Sequence, residues 1–90
     1  MLHTILRLPT VNSVTGNSRS THYLRITQGL FTKPVSLGPR AVGWPSSEVE
    51  SINAARIAGK TDMEIRELVA TLESARKTAD QQPLLKGALK

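Results

Sequence analysis

The stretch "SRST" at positions 18–21 gathers three hydroxyl groups around the guanidinium group of Arg19. Ser18 is a typical helix N-cap, so a helix is predicted whose free backbone N–H groups and positive dipole end favour a phosphate. A guanidinium group at that end can pair with a guanine edge or hold a phosphate. The segment therefore predicts a helix that faces a polyanion, with six candidate contact residues: Ser18, Arg19, Ser20, Thr21, Tyr23 and Arg25.

The positive charge is concentrated in one half of the chain. The 90 residues carry a net charge of +5 and an isoelectric point near 10.3. Residues 1–45 hold five of the 12 Lys and Arg residues and none of the seven Asp and Glu residues, so the whole excess lies there. A basic half without acids indicates a polyanionic partner, with nucleic acid as the first candidate.

Other residue types that carry chemistry are scarce. There is no cysteine, which excludes disulfides and thiolate metal sites and fits a reducing compartment. His3 and His22 alone do not form a metal site, and we find no catalytic constellation or phosphate loop, so neither an enzyme nor a cofactor is expected. Because no apolar run reaches the ~18 residues of a membrane span and no signal peptide is visible, we expect a cytoplasmic protein.

Two short helices are predicted around the SRST stretch. Pro9 suits the first turn of a helix, and Gly16 suits the position just past its end. Ser18 then caps a second helix, which runs to about Gln28 and ends at Gly29. Two helices joined by a turn of about three residues form the helix-turn-helix arrangement.

The second helix has two alternative orientations. One buries Tyr23 and Ile26 and turns Arg25 outward, toward a DNA groove. The other buries His22 and Ile26, turns Ser20 and Tyr23 outward and leaves Arg25 on the flank. We favour the second orientation because the hydroxyl groups and Tyr23 then share a face with the helix N-terminus.

The segment "KPVSLGPRAVGWP" changes to a two-residue period, which predicts a β-hairpin around the turn residues "GPR". Arg40 would stand at or beside the tip and contact an adjacent DNA backbone or a minor groove. Lys33, at the base of the hairpin, would be a further backbone contact. Four apolar residues are expected to face inward: Val35, Leu37, Val42 and Trp44.

Two further helices are predicted after the hairpin. Ser46 or Ser47 caps the first, and Thr61 with Glu64 has capping-box spacing at the start of the second. The second helix, over residues 61–77, carries an apolar stripe: Ile65, Leu68, Val69, Leu72 and Ala75. This stripe either packs on its own domain or contacts another protomer or a partner protein.

The predicted fold is mainly α with a small β-hairpin, in the order of a winged helix-turn-helix. That domain would cover residues 5–59. An amphipathic helix would follow over residues 60–79, and a flexible tail over residues 80–90.

The segment from about residue 5 to residue 58 resembles the AlpA family of prophage regulatory proteins and the related small excisionases, which are MerR-like winged helix-turn-helix proteins. The combination of "SRST" with "RAVGW" at this separation is the most specific mark. The matching residues are "LRLP" at 6–9, Thr15, Gly16, "SRST" at 18–21, Tyr23, Gly29, Phe31, "KPV" at 33–35, Leu37, Gly38, "RAVGW" at 40–44 and "SEV" at 47–49.

Three positions depart from the pattern of that family. Asn17 replaces an aliphatic residue, His22 replaces isoleucine or a similar residue, and Thr32 stands where proline is frequent. The first two thin the packing behind the second helix, and His22 is expected to be a packing substitute rather than a ligand.

The resemblance implies a bacterial, nucleoid-associated protein of a mobile element that binds double-stranded DNA site-specifically. It would act as an excisionase, or recombination directionality factor, which binds repeated attachment-site sequences, self-associates along them, bends the DNA and steers a tyrosine integrase toward excision. The alternative is a transcriptional regulator of an integrase gene. A second alternative, from another class, is a protein-binding inhibitor that acts through the helix at 61–77.

Overall fold

The computed structural model describes residues 4–81 and shows four α-helices with a small antiparallel sheet, a winged helix-turn-helix as predicted. The predicted flexible tail lies mostly outside the described residues, although its first two residues belong to a 3-10 helix. The elements in chain order are β1 (Ile5–Leu6), α1 (Leu8–Thr15), α2 (Arg19–Thr27), β2 (Val35–Gly38), β3 (Ala41–Pro45), α3 (Ser46–Ile57), α4 (Asp62–Ala75) and the 3-10 helix (Arg76–Gln81).

The helix-turn-helix has the predicted caps. Pro9 lies in the first turn of α1, and Gly16 adopts the left-handed conformation after it, with φ at 76° and its N–H donating to Asn12 O at 2.9 Å. Ser18 Oγ accepts the N–H of Thr21 at 3.2 Å and so caps α2. The short turn between the two caps fixes the direction in which α2 leaves α1.

The sheet has the strand order β1-β3-β2, and the β2–β3 hairpin forms the wing. Val35 pairs with Gly43, and Ser36 pairs with Val42. Because paired residues share a face, Val35 and Gly43 lie opposite Val42 and Trp44.

The prediction that all four apolar wing residues face inward is therefore wrong for the β2 pair. Trp44 is fully buried, whereas Leu37 is 44% exposed and lies over Gly43 on the outer face. Side chains alternate along each strand as predicted. Which face of β2 lies on the core side of β3 depends on the pairing between the two strands, which has an irregularity between Ser36 and Gly38.

One hydrophobic core joins the helices and the sheet. Trp44 lies in it with its indole N–H donating to Thr32 O at 2.9 Å, so its polar atom is satisfied. The buried apolar residues are Val11, Leu30, Phe31, Trp44, Val49, Ile52, Ile65 and Val69.

The apolar stripe of α4 packs on its own chain, the first of its two predicted interpretations. Ile65 and Val69 are buried in the core, and Leu68 and Leu72 are partly buried against it. The predicted protomer or partner contact is therefore wrong for Ile65 and Val69, because both side chains are buried in the core of their own chain. For Leu68 and Leu72, which are partly exposed, it stays a prediction. The predicted capping box of Thr61 and Glu64 is present.

Helix α4 and the 3-10 helix that follows it also hold the segment between α2 and the wing. Arg66 Nε donates to Gln28 O at 2.9 Å, and Arg76 Nη2 donates to Lys33 O at 2.6 Å. The N–H of Lys33 donates to a carboxylate oxygen of Glu73 at 2.8 Å. These bonds satisfy backbone groups of a loop and fix the base of the wing.

The start of α3 differs from the predicted one. The helix begins at Ser46 directly after Pro45, and no side chain caps it by a hydrogen bond. Instead, Glu48 in its first turn is buried and accepts two hydrogen bonds from Arg76, at 2.8 and 2.7 Å.

None of the helices within residues 4–81 is long and apolar enough to span a bilayer.

Candidate nucleic-acid interface

Helix α2 is oriented as in the second of the two predicted alternatives. His22 is fully buried and Ile26 packs against the core, whereas Ser20 and Tyr23 are exposed. Ser20 and Tyr23 therefore lie on faces of α2 that a partner can reach, and the side chain of Arg19 is exposed at the first position of the helix.

The start of α2 has features of an anion-binding end. The hydroxyl of Ser18 accepts the N–H of Thr21 and donates to its Oγ1 at 3.0 Å, so these two side chains serve the cap. The first turn contains no acidic residue. Within the described residues, the hydroxyl of Ser20 has no hydrogen-bond partner. This hydroxyl and the free backbone N–H groups of the first turn can therefore donate to an external acceptor.

Three arginines from separate segments of the chain lie beside the start of α2. Arg7 precedes α1, Arg19 opens α2, and Arg40 stands in the turn of the wing. They line one open cleft of about 400 Å³, here called the three-arginine cleft, together with Leu8, Pro9, Tyr23 and Val42. Among the described residues none of the three forms an ion pair, so their charges are uncompensated at the surface.

Tyr23 orients one of these arginines. The guanidinium carbon of Arg19 lies 5.6 Å from the centroid of the Tyr23 ring, a cation–π distance. The ring of Tyr23 is in turn in an edge contact with the buried ring of His22, at 5.6 Å between centroids. The core thus supports Tyr23, and Tyr23 supports the direction of Arg19.

Arg40 is held in an unusual backbone conformation. Its φ is 62°, and it is the one non-glycine residue of positive φ among the described residues. A left-handed L-residue costs about 1–2 kcal/mol, and glycine would fit there more easily. Residues with strained backbones cluster at functional sites, so the strain at Arg40 indicates a role for its side chain.

Of the predicted contact residues, Arg19, Tyr23 and Arg40 line the three-arginine cleft, whereas five lie outside it: Ser18, Ser20, Thr21, Arg25 and Lys33. Arg25 lines a separate cleft of about 300 Å³ that also contains Asn17 and Arg56, on the flank of α2. Its side chain makes no hydrogen bond within the described residues, and its Nε is buried. Lys33 is exposed at the base of the wing, where α4 holds its backbone.

His22 is a packing residue, as predicted. Its ring lies 4.7 Å from those of both Phe31 and Trp44, centroid to centroid, in edge arrangements. Among residues 4–81, neither ring nitrogen has a hydrogen-bond partner. Burial lowers the pKa of His22, because the charged imidazolium would lose its hydration there.

Sequence reasoning missed two residues of this surface. Arg7 was counted only as part of the positive charge, since its place beside α2 depends on the pairing of β1 with β3, in which Leu6 faces Trp44. Leu24 was overlooked because an aliphatic residue in a helix suggests the core. Its spacing of four residues from Ser20, away from His22 and Ile26, was the available signal.

Comparison with known proteins gives a consistent answer. A family model described as Prophage CP4-57 regulatory protein (AlpA) matches residues 4–57. The chain is also 49% identical over 55 residues to a protein of Enterobacteria phage P4 described as uncharacterized protein ORF88, a match that covers 61% of this chain and 62% of that one. No solved structure was found to match the chain. With the family model covering more than half of its length, including the whole helix-turn-helix and the wing, the chain belongs to the AlpA family of prophage regulatory proteins.

Proposed function

We propose that this protein binds double-stranded DNA site-specifically, with α2 in the major groove and the wing on the adjacent backbone. The observation that carries this proposal is the three-arginine cleft at the positive end of α2. Three cations from separate elements converge there, and no acidic residue lines the cleft. Phosphates provide the matching row of negative charges, and a helix of this exposure fits the major groove.

The residues take different roles in this proposal. Arg7 and Arg40 hold phosphates on either side of the point where α2 enters the groove, and Lys33 adds a contact near the base of the wing. Arg19 and Ser20 reach base edges from the first turn, with Tyr23 steering Arg19. Ser18 and Thr21 act through the cap that directs this turn.

Alanine substitution tests the DNA surface. Arg7→Ala, Arg19→Ala and Arg40→Ala are each expected to weaken binding to a duplex selected with the full chain, measured by fluorescence anisotropy. Lys60→Ala is the matched control, since Lys60 is exposed and lies in neither arginine cleft. Equal affinities of all four variants and the unaltered protein would show that DNA, if bound at all, is bound elsewhere.

For the biological role we propose an excisionase that binds attachment-site repeats and steers a tyrosine integrase toward excision. Its alternative is an AlpA-type regulator of the integrase gene, and the family description, a regulatory protein, is compatible with both roles. Footprinting of the element's attachment site and integrase promoter separates them. Protected direct repeats at the attachment site support the excisionase, and protection of the promoter alone supports the regulator.

Repeated sites would bring neighbouring protomers into contact. Ile65 and Val69 of the α4 stripe are buried in the core, whereas Ile5 and Leu37 are partly exposed side by side over Gly43 on the outer face of the sheet. We place the self-association at Ile5 and Leu37. A protein-binding inhibitor that acts through the helix at 61–77 would have to use Leu68 and Leu72, which are partly buried against the core.

A further inference from the structure

Leu24 is an exposed aliphatic residue in the middle of α2. Its side chain is 55% exposed. Since α-helical residues are spaced by 100°, Leu24 points away from His22 and Ile26, the two residues that attach α2 to the core. Ser20, four residues earlier, lies on the same face.

A single exposed leucine has little meaning by itself, because much of any protein surface is apolar. The surroundings of Leu24 give it meaning. The other exposed positions of α2 are polar or aromatic, and among the described residues Leu24 is the one exposed aliphatic side chain on this helix. It lies next to Tyr23 and one turn after Ser20, within the surface that the proposed function places in the major groove.

The major groove offers one apolar group on its base edges, the C5-methyl group of thymine. We propose that Leu24 is a specificity-determining residue that recognises a thymine by packing against this methyl group. This inference rests on the proposed function, and it adds a base preference to a surface whose other members are mainly hydroxyl and guanidinium groups. Those groups recognise hydrogen-bonding edges, so the aliphatic side chain of Leu24 matches a methyl group better than they do.

Deoxyuridine provides a direct probe, because it differs from thymidine only by the absence of this methyl group. A duplex is first selected with the full chain, and each thymine is then replaced by deoxyuridine in turn. The unaltered protein is expected to bind about fourfold more weakly when one particular thymine is replaced, the effect of losing one buried methyl contact.

The Leu24→Ala variant completes the test. It is expected to lose about the same factor on the thymine duplex and to bind the thymine and deoxyuridine duplexes equally. Val14→Ala is the matched control, since Val14 is similarly exposed but lies on α1, and it should retain the full discrimination. Thermal unfolding of both variants confirms that each is folded, as expected for substitutions at exposed positions.

The outcomes separate this inference from the proposed function. Sequence-selective binding with no effect of deoxyuridine at any thymine overturns the role of Leu24 and leaves the DNA surface in place. Discrimination that persists in Leu24→Ala assigns the methyl contact to another residue and also overturns it. A chain that selects no duplex at all contradicts the proposed function itself.

Discussion

At the scale of single residues, helix α2 is attached to the core by a histidine whose neutral form is favoured by burial. His22 is fully buried against Phe31 and Trp44, and burial lowers its pKa. The unfolded chain takes up a proton near the ordinary value of 6.5, whereas the folded chain does so only at lower pH. Folding is therefore opposed as pH falls below about 6.5, and this loss continues down to the lowered pKa of the folded state.

The prediction for His22 concerns the pH dependence of stability. Urea unfolding should give a lower free energy of unfolding at pH 5.5 than at pH 7.5, because the unfolded state binds more protons in this window. In His22→Leu this difference in the free energy of unfolding should shrink markedly. At pH 5.5 the variant should be at least as stable as the unaltered protein. An unchanged difference in the variant would assign the pH dependence to other groups.

Arg40 allows stability and binding to be separated. Arg40→Gly relieves the positive φ and is expected to raise the free energy of unfolding by up to about 1 kcal/mol, after allowing for the greater backbone entropy of glycine. Its DNA affinity should nevertheless fall as far as that of Arg40→Ala, which keeps the strain and loses the charge. A glycine variant that binds DNA normally would argue that the arginine side chain has no role.

At the scale of elements, the sequence predicted the ends of the helices, because these depend on capping residues close by in the chain. The caps at Gly16 and Ser18 and the capping box at Thr61 were readable because each depends on residues within one turn. The orientation of Leu37 was not, because it depends on the register of the β2–β3 hairpin and its irregularity. The location of Arg7 was not, because it depends on the pairing of β1 with β3, which are far apart in the sequence. The sequence therefore predicted part of the candidate site: it indicated Arg19, Tyr23 and Arg40, but not Arg7.

The contact between α3 and the end of α4 gives a prediction at this scale. Glu48 is buried and Arg76 is its bidentate partner, so Arg76→Ala leaves an uncompensated buried carboxylate and should cost about 3 kcal/mol of stability. The double variant Arg76→Met with Glu48→Leu should recover most of that loss, because no buried charge remains. Urea denaturation measures both, and a loss below about 0.5 kcal/mol in Arg76→Ala would show that the pair is of little importance.

At the scale of the whole molecule, the charges divide the protein into two parts with different tasks. The acid-free half supplies α2, the wing and the three-arginine cleft, whereas the later half supplies the acids and the helix that closes the core. The sequence predicted this division through its charge asymmetry. It could not show that α4 completes the core of the DNA-binding module, because an amphipathic stripe is the same whether its own chain or a partner covers it.

The central claim, DNA binding through the three-arginine cleft, is tested most directly by the salt dependence of affinity. With phosphate contacts at Arg7, Lys33 and Arg40, the slope of log affinity against log salt should be about −3. Each of Arg7 and Arg40 removed should reduce its steepness by about one, so the double variant Arg7→Ala, Arg40→Ala should lose about two thirds of it, while Lys60→Ala changes nothing. Adding Arg19→Ala should lower the affinity further with little change of slope, because Arg19 is assigned to a base edge. A triple variant with the slope and affinity of the unaltered protein would contradict the account.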